Sequence, residues 1–307
     1  MKKALITGSS GFVGGYLRQE LLANGYEVIG LDVQEAEQTI KADLLNAEQT
    51  KAVIERVKPD CIFHLAGQAN VARSWKIPQK TVEINVVGAV NLMEAVRNCC
   101  PNAHMVLVGS SDQYGVLGEA GKLVSETIQP YPQTPYAVSK QAQEEMARVF
   151  ARAYGLNICM TRSFNHGGAG QKEGFMIPDF AAGIVRVERG EADCLKVGNL
   201  TARRDFTHVR DIVRAYRLIA EHGQSGEVYN IGSGITYSAQ EILDKMCQMS
   251  NCTIRIEQDS AKMRPSDTPV ICCDHSKLTR DTDWEPELGL DRILVDTLEY
   301  WRNQRNG

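Results

Sequence analysis

Apolar residues along the first half of the chain fall into short blocks separated by stretches with helical spacing. Residues 4–7, 28–31, 61–65 and 105–108 are apolar at nearly every position, and 39–42 is a weaker run. Between them, residues 13–23 place Leu17, Leu21 and Leu22 as an inward set, and 48–57 and 81–97 read as helices. Strands alternating with helices of this length predict parallel β-α-β units. Strands without polar alternation predict a sheet covered on both faces. Thr134 and Pro135 are good first residues for a helix that Gly155 stops. Along it Val138, Ala142, Met146, Val149 and Ala153 form an apolar stripe that reads first as core.

Beyond a strand at 157–162 the alternation loosens. Gly167, Gly168, Gly170 and Gly174 mark a loop, followed by helices at 175–189, 208–221, from 238, and 291–302. Short strands are expected at 194–197, 228–231 and 253–256. The fold class is therefore α/β, a Rossmann-type doubly wound parallel sheet with a smaller C-terminal substrate-binding domain. We expect the cofactor domain to span 1–163, with segments near 206–231 packing back on it, and 164–307 to bind mainly substrate.

Composition narrows the function. With 307 residues, 43% hydrophobic and 23% charged, the chain is an ordinary globular one. A formal charge of −4 gives no basic face for nucleic acid, and no apolar run reaches a membrane span. The start breaks into Thr, Gly and Ser too soon for a secretory signal. Nine Cys without a CxxC, and six scattered His, predict reduced, mostly buried thiols in a cytoplasmic protein and no metal site.

The chemistry begins at the first strand–helix junction. Gly8, Gly11 and Gly14 form a GxxGxxG turn, with Phe12 and Val13 inside it. Such glycines let the backbone approach a dinucleotide pyrophosphate resting on a helix N-terminus. Asp32 ends the second strand, where a carboxylate accepts the ribose hydroxyl of NAD and repels the phosphate of NADP. NAD is thus favoured, with NADP possible. Asp43 and Leu44 fall beside the adenine, and Leu65, Ala66 and Gly67 end the fourth strand where the backbone can pass the cofactor. Tyr136 and Lys140, four residues apart, share a helix face. A phenol is a poor base at neutral pH, but a neighbouring ammonium stabilises its anion, which suits proton exchange with a carbinol oxygen.

Taken in order, TGSSGFVG, HLAG, SSDQYG, YAVSK and RDFTHVRD resemble the blocks of the extended short-chain dehydrogenase/reductase family acting on nucleotide sugars, over essentially the whole chain. The resemblance gives Ser110 the role of hydrogen-bonding the reacting oxygen. It puts Asp112 where related dehydratases carry an acid, and it implies a homodimer. Phe164-Asn165-His166, Val197-Gly198-Asn199-Leu200 and Met263-Arg264-Pro265-Ser266 resemble the GDP-sugar branch, most of all its 4-keto-sugar reductases. Gly168-Ala169 departs from that branch, where a proline is usual. Arg204 and Arg264, with Asn165, are candidates for a clamp on the substrate's two phosphates. For each arginine the competing reading is a surface ion pair. Three reactions follow from the resemblance: reduction of GDP-6-deoxy-4-keto-mannose at C4 to GDP-rhamnose, 4,6-dehydration of a GDP-hexose on bound NAD, or 4-epimerisation.

Overall fold

A computed structural model describes residues 1–115, 123–260 and 270–304. The chain runs β1 (Lys3–Thr7), α1 (Phe12–Ala23), β2 (Glu27–Asp32), β3 (Thr39–Lys41), α2 (Ala47–Val57), β4 (Cys61–His64), α3 (Val71–Lys76), α4 (Pro78–Val82), α5 (Gly88–Cys99) and β5 (His104–Ser110). It continues through β6 (Leu123–Val124), α6 (Pro135–Tyr154), β7 (Ile158–Ser163), β8 (Asn165–Gly167), α7 (Met176–Glu188), β9 (Leu195–Val197), β10 (Arg203–His208), α8 (Val209–His222) and β11 (Val228–Ile231). The last elements are β12 (Thr236–Ser238), α9 (Ala239–Gln248), β13 (Ile256–Gln258), β14 (Val270–Cys273), α10 (Ser276–Thr282) and α11 (Leu290–Asn303).

Seven parallel strands form one sheet in the order β11-β7-β5-β4-β1-β2-β3. This is the expected doubly wound fold. Alternate residues of one strand feed opposite cores: Leu5 packs with Ile54, Leu92 and Phe150, whereas Ala4 and Ile6 pack with Leu17, Tyr216 and Trp284. The strand order reverses at β1, so a crevice opens beyond the ends of β1 and β4. The other strands make a five-stranded sheet around β10 and a β9–β13 pair, with α7, α9 and α11 sharing a third core.

Five local expectations change. Leu22 is 50% exposed, because one step from Leu21 turns it 100° off the buried face. The expected helix over 81–97 is α4, a π-turn over 83–87, and α5. The expected strand at 253–256 lies slightly later, as β13. Most consequential is α6. Its buried face is Tyr136, Ser139, Lys140, Gln143, Glu144 and Phe150, with Ala137 and Ala147 between them. Most of the apolar stripe is not core: Val138 and Val149 are 48% and 44% exposed, although Met146 packs partly buried against the core. Nor are the thiols mostly buried: none of the nine is paired, and Cys61, Cys159, Cys272 and Cys273 are the buried ones.

A polar helix face can pack inward only if its groups are satisfied. Glu144 does most of this. Its two oxygens take Arg162 Nη2 at 2.7 Å and Nε at 2.9 Å, with both side chains 2% exposed. Gln113 Nε2 adds a bond of 2.8 Å, and Arg148 one of 3.1 Å. Burial pushes the Glu144 carboxyl up, but the bonds and charge of Arg162, with Gln113 and Arg148, more than offset this and hold it below the usual range. A carboxyl lowered on folding stabilises the fold above its unfolded pKa of about 4.3, and that contribution fades as pH falls through the lower native value. Glu144→Gln should therefore cost about 3–5 kcal/mol near neutrality by leaving the guanidinium buried without its anion. Urea unfolding at pH 7 and pH 3 checks this; a deficit that does not shrink at pH 3 would contradict the assignment.

Candidate active site

The glycine turn lies at the crevice. Gly8 has φ +72, and a Cβ there would sit 2.8 Å from Ala66 N, so the β1 and β4 loops touch through a position only glycine fills comfortably. Gly11 caps α1 without any side chain accepting from its first turn, which leaves these amides directed outward. Phe12 and Val13 are the first residues of α1. Asp32, at the end of β2, accepts from Ser10 N at 3.0 Å and Gln34 N at 3.1 Å. It is thereby aimed along the loop, with lone pairs left for a ligand hydroxyl. Asp43 is exposed and accepts from Leu45 N. Leu44 is buried in the core, and its carbonyl takes Asn91 Nδ2. These groups fit a nicotinamide dinucleotide: an uncapped helix start, a cradle that a Cβ would fill, and a carboxylate at the second strand.

The chemistry-bearing side chains converge from three elements. β5 ends in Ser110, which caps the 3₁₀ turn 111–114; Asp112 N donates to Ser110 Oγ at 3.2 Å. Gln113 Oε1 accepts from Ser110 N at 2.9 Å. Tyr136 and Lys140 come from the first turns of α6, whose start is fixed by Thr134 and Pro135 as the sequence predicts. Ser110 hydrogen-bonds the Tyr136 hydroxyl. Burial drives the phenol pKa well up, the Asp112 charge adds to this, and the Ser110 bond opposes it. The free protein therefore holds Tyr136 protonated. Burial pulls Lys140 down to about 8. Its ammonium donates to Val108 O at 2.8 Å and Gln143 Oε1 at 3.0 Å.

Sequence reasoning missed Asn85, in the π-turn. Its Oδ1 accepts from Gln68 N at 2.7 Å, and its Nδ2 donates to Gln68 O at 3.1 Å and Ser139 Oγ at 2.8 Å. Ser139 Oγ in turn donates to Tyr136 O at 2.7 Å. Asn85 thus clasps the loop bearing Leu65, Ala66 and Gly67 to the helix bearing Tyr136. The only signal was a polar residue inside an otherwise helical pattern.

The substrate side is less closely gathered. Asn165 on β8 lies beside β10, where Phe206 is its partner, and Arg204 stands two residues earlier on β10. Asn165 Nδ2 reaches Asp205 O at 3.5 Å, and Arg204 donates to Arg203 O at 2.8 Å. His166 stacks parallel to Phe12 of the glycine turn at 6.5 Å, so the two loops meet. His208 caps α8 and bonds Asp296 at 3.1 Å, a structural role. Arg264 lies outside the described residues.

The model of the GDP-mannose 4,6 dehydratase family matches residues 5–297. The chain belongs to that family. It is 32% identical to GDP-6-deoxy-D-mannose reductase of Pseudomonas aeruginosa, over 99% of this chain and 98% of the relative. The fold superposes on a structure of RMD from Pseudomonas aeruginosa complexed with NADPH at a TM-score of 0.89, with 32% identity and 98% and 99% of the two chains covered. It also matches the Thermus thermophilus UDP-glucose 4-epimerase complex with NAD at 0.88, with 25% identity and 98% and 99% covered.

The tight contact at Gly8 makes a direct test. Gly8→Ala should cost about 1–3 kcal/mol of stability through positive-φ strain and weaken NADH binding at least about tenfold by pushing the two loops apart. Fluorescence titration with NADH measures this; unchanged affinity would remove Gly8 from the cofactor cradle.

Proposed function

We propose that this protein reduces the C4 ketone of GDP-6-deoxy-4-keto-mannose to give GDP-rhamnose. The observation that carries the reading is the near full-length likeness to a GDP-6-deoxy-D-mannose reductase, joined to a Ser110–Tyr136–Lys140 site that holds its proton before reaction. A dihydronicotinamide dinucleotide held at Gly8, Gly11 and Asp32 would supply the hydride. The Ser110 hydroxyl donates to the carbonyl oxygen and holds it against Tyr136. Tyr136 gives its proton to that oxygen as the carbinol forms, and the Lys140 ammonium stabilises the phenolate left behind. Asn165, Arg204 and Arg264 bind the diphosphate. Asp32 favours NADH over NADPH, since its charge and a 2′-phosphate repel.

A second reading is supported by Asp112. It is exposed and near enough for its charge to act on Tyr136. On tightly bound NAD it would serve as the acid or base of a 4,6-dehydratase.

Homodimerisation is supported by α6. Its Val138 and Val149, with Val82 of α4 and Val87 of the π-turn, are all over 40% exposed, on elements that pack side by side. Burying the exposed half of one such valine is worth about 1 kcal/mol, and covering all four favours a second copy there. A cytoplasmic site is supported by nine thiols without a disulfide.

Two experiments test these readings. Purified protein given NADH and GDP-6-deoxy-4-keto-mannose should oxidise NADH and yield a product two hydrogens heavier by mass. Tyr136→Phe should lose at least about 10²-fold in turnover while NADH binding stays nearly intact. No oxidation, with dehydration of an unreduced GDP-hexose, would transfer the assignment to the Asp112 reading. Separately, Val138→Glu should convert a dimer to a monomer in light scattering; an unchanged mass would place any interface elsewhere.

A further inference from the structure

An ammonium that tunes a phenol must be held still and must keep its proton. Two of the three Lys140 hydrogens are committed on the protein side, to Val108 O and Gln143 Oε1. Val108 lies on β5 two residues before Ser110, so this bond ties the ammonium to the strand that delivers the serine. On the other side Gly67 leaves space: a Cβ there would stand 3.7 Å from Lys140 Nζ.

Gln143 is an unfavourable residue for its place. It is 1% exposed, and among the described residues its Nε2 has no hydrogen-bond partner. A buried donor without an acceptor costs stability that an apolar side chain of the same volume would avoid. The bond this amide does make is the one to Lys140.

The other charged or titratable groups around Lys140 do not replace it. His64, at the end of β4, bonds Thr7 Oγ1 at 2.8 Å, and burial with the Lys140 charge pushes it down to about 3. It is neutral at any working pH. Tyr136 is protonated, and Glu144 is spent on Arg162 of β7. Asp112 is exposed on the 3₁₀ turn. His104, at the start of β5, is lowered by burial. Arg73, Lys76, Lys80, Glu83, Glu94 and Arg97 of the helices packed on α6 stand at the surface, where solvent screens them.

We infer that Gln143 is a positioning residue: its carbonyl anchors the Lys140 ammonium beside the strand that carries Ser110 and sets the pH at which that charge is lost. This rests on the reading of Tyr136 and Lys140 as the proton-handling pair. An acceptor on the ammonium favours its charged form, against the burial that brings Lys140 down to about 8.

Gln143→Met keeps the volume and removes the acceptor. Gln143→Glu keeps the shape and places a carboxylate there. The Lys140 titration is read in the intact protein by NMR of 13Cε-labelled lysine, assigned by difference from Lys140→Arg, after melting curves establish that each variant folds. We expect the midpoint of Gln143→Met about one pH unit below wild type, a tenfold loss of proton affinity or about 1.4 kcal/mol. Gln143→Glu should lie above wild type, and the alkaline limb of turnover should move in the same directions. Unmoved midpoints in both variants overturn the inference and leave Gln143 as packing. If Gln143→Met does not fold, an unmoved midpoint in Gln143→Glu overturns it alone. Midpoints that move while the GDP-keto-sugar is not turned over keep the anchor and sink the substrate reading instead.

Discussion

The buried fork between Glu144 and Arg162 is the constraint on which the site depends. Arg162 is fixed in β7, the strand next to β5, so the fork pins α6 against the sheet at a set height and rotation. Gln113 then bridges Glu144 to the backbone of Ser110. One carboxylate thereby sets both the helix that carries Tyr136 and Lys140 and the turn that carries Ser110. The Arg162 guanidinium also lies 4.7 Å over the Tyr114 ring, whose hydroxyl donates to Asn230 at 2.7 Å on β11. The network runs across the neighbouring strands β5, β7 and β11. A buried ion pair is a poor source of net stability against an apolar core. Its value here is geometric: two charges that cannot tolerate separation keep three functional side chains in register.

The same economy appears at the cofactor side. Asn85 satisfies both the N–H and the C=O of Gln68 and still reaches Ser139. A regular α-helix would carry the residue at position 85 around with the 3.6-residue period. The π-turn over 83–87 widens one turn instead, which is how such turns recur at functional sites. Gly67 must lack a side chain because the Asn85 amide occupies the place of its Cβ, 2.9 Å away. The glycine near the end of β4 and the irregularity before α5 are thus two halves of one contact.

Much of this was readable from the chain, and the parts that were not share a cause. The parallel sheet, the glycine turn, Asp32 and the start of α6 follow from local rules: apolar runs, punctuation, a cap and a proline. The inward face of α6 does not, because hydrophobic periodicity assumes that apolar residues go in. Here Ser139, Lys140, Gln143 and Glu144 go in, Ser139, Lys140 and Glu144 each bonded to a residue distant in sequence and Gln143 to Lys140, and Val138 and Val149 stay out. Periodicity found a real stripe and assigned it to the wrong surface. Asn85 and Gln113 were invisible for a related reason: Asn85 holds the backbone of Gln68, and Gln113 reaches the side chains of Gln141 and Glu144, partners whose approach only the folded chain reveals. Ser110, Tyr136 and Lys140 were named from spacing and resemblance, but the protonation state they share comes from burial.

That protonation state bears on the choice among reactions that one constellation can serve. A reductase needs a neutral phenol to give its proton; an oxidation at C4 needs a phenolate to take one. Burial and the negative charge of Asp112 both raise the Tyr136 pKa, and the Ser110 bond opposes them without reversing the balance. An ionised Asp112 beside the tyrosine therefore favours the donor form. For the dehydratase reading the same charge would be a handicap at the first step, which must lift a proton from C4–OH before any acid at C5 and C6 is required. The carboxylate that makes dehydration conceivable thus disfavours its opening step, and the proton economy of the site agrees better with ketone reduction.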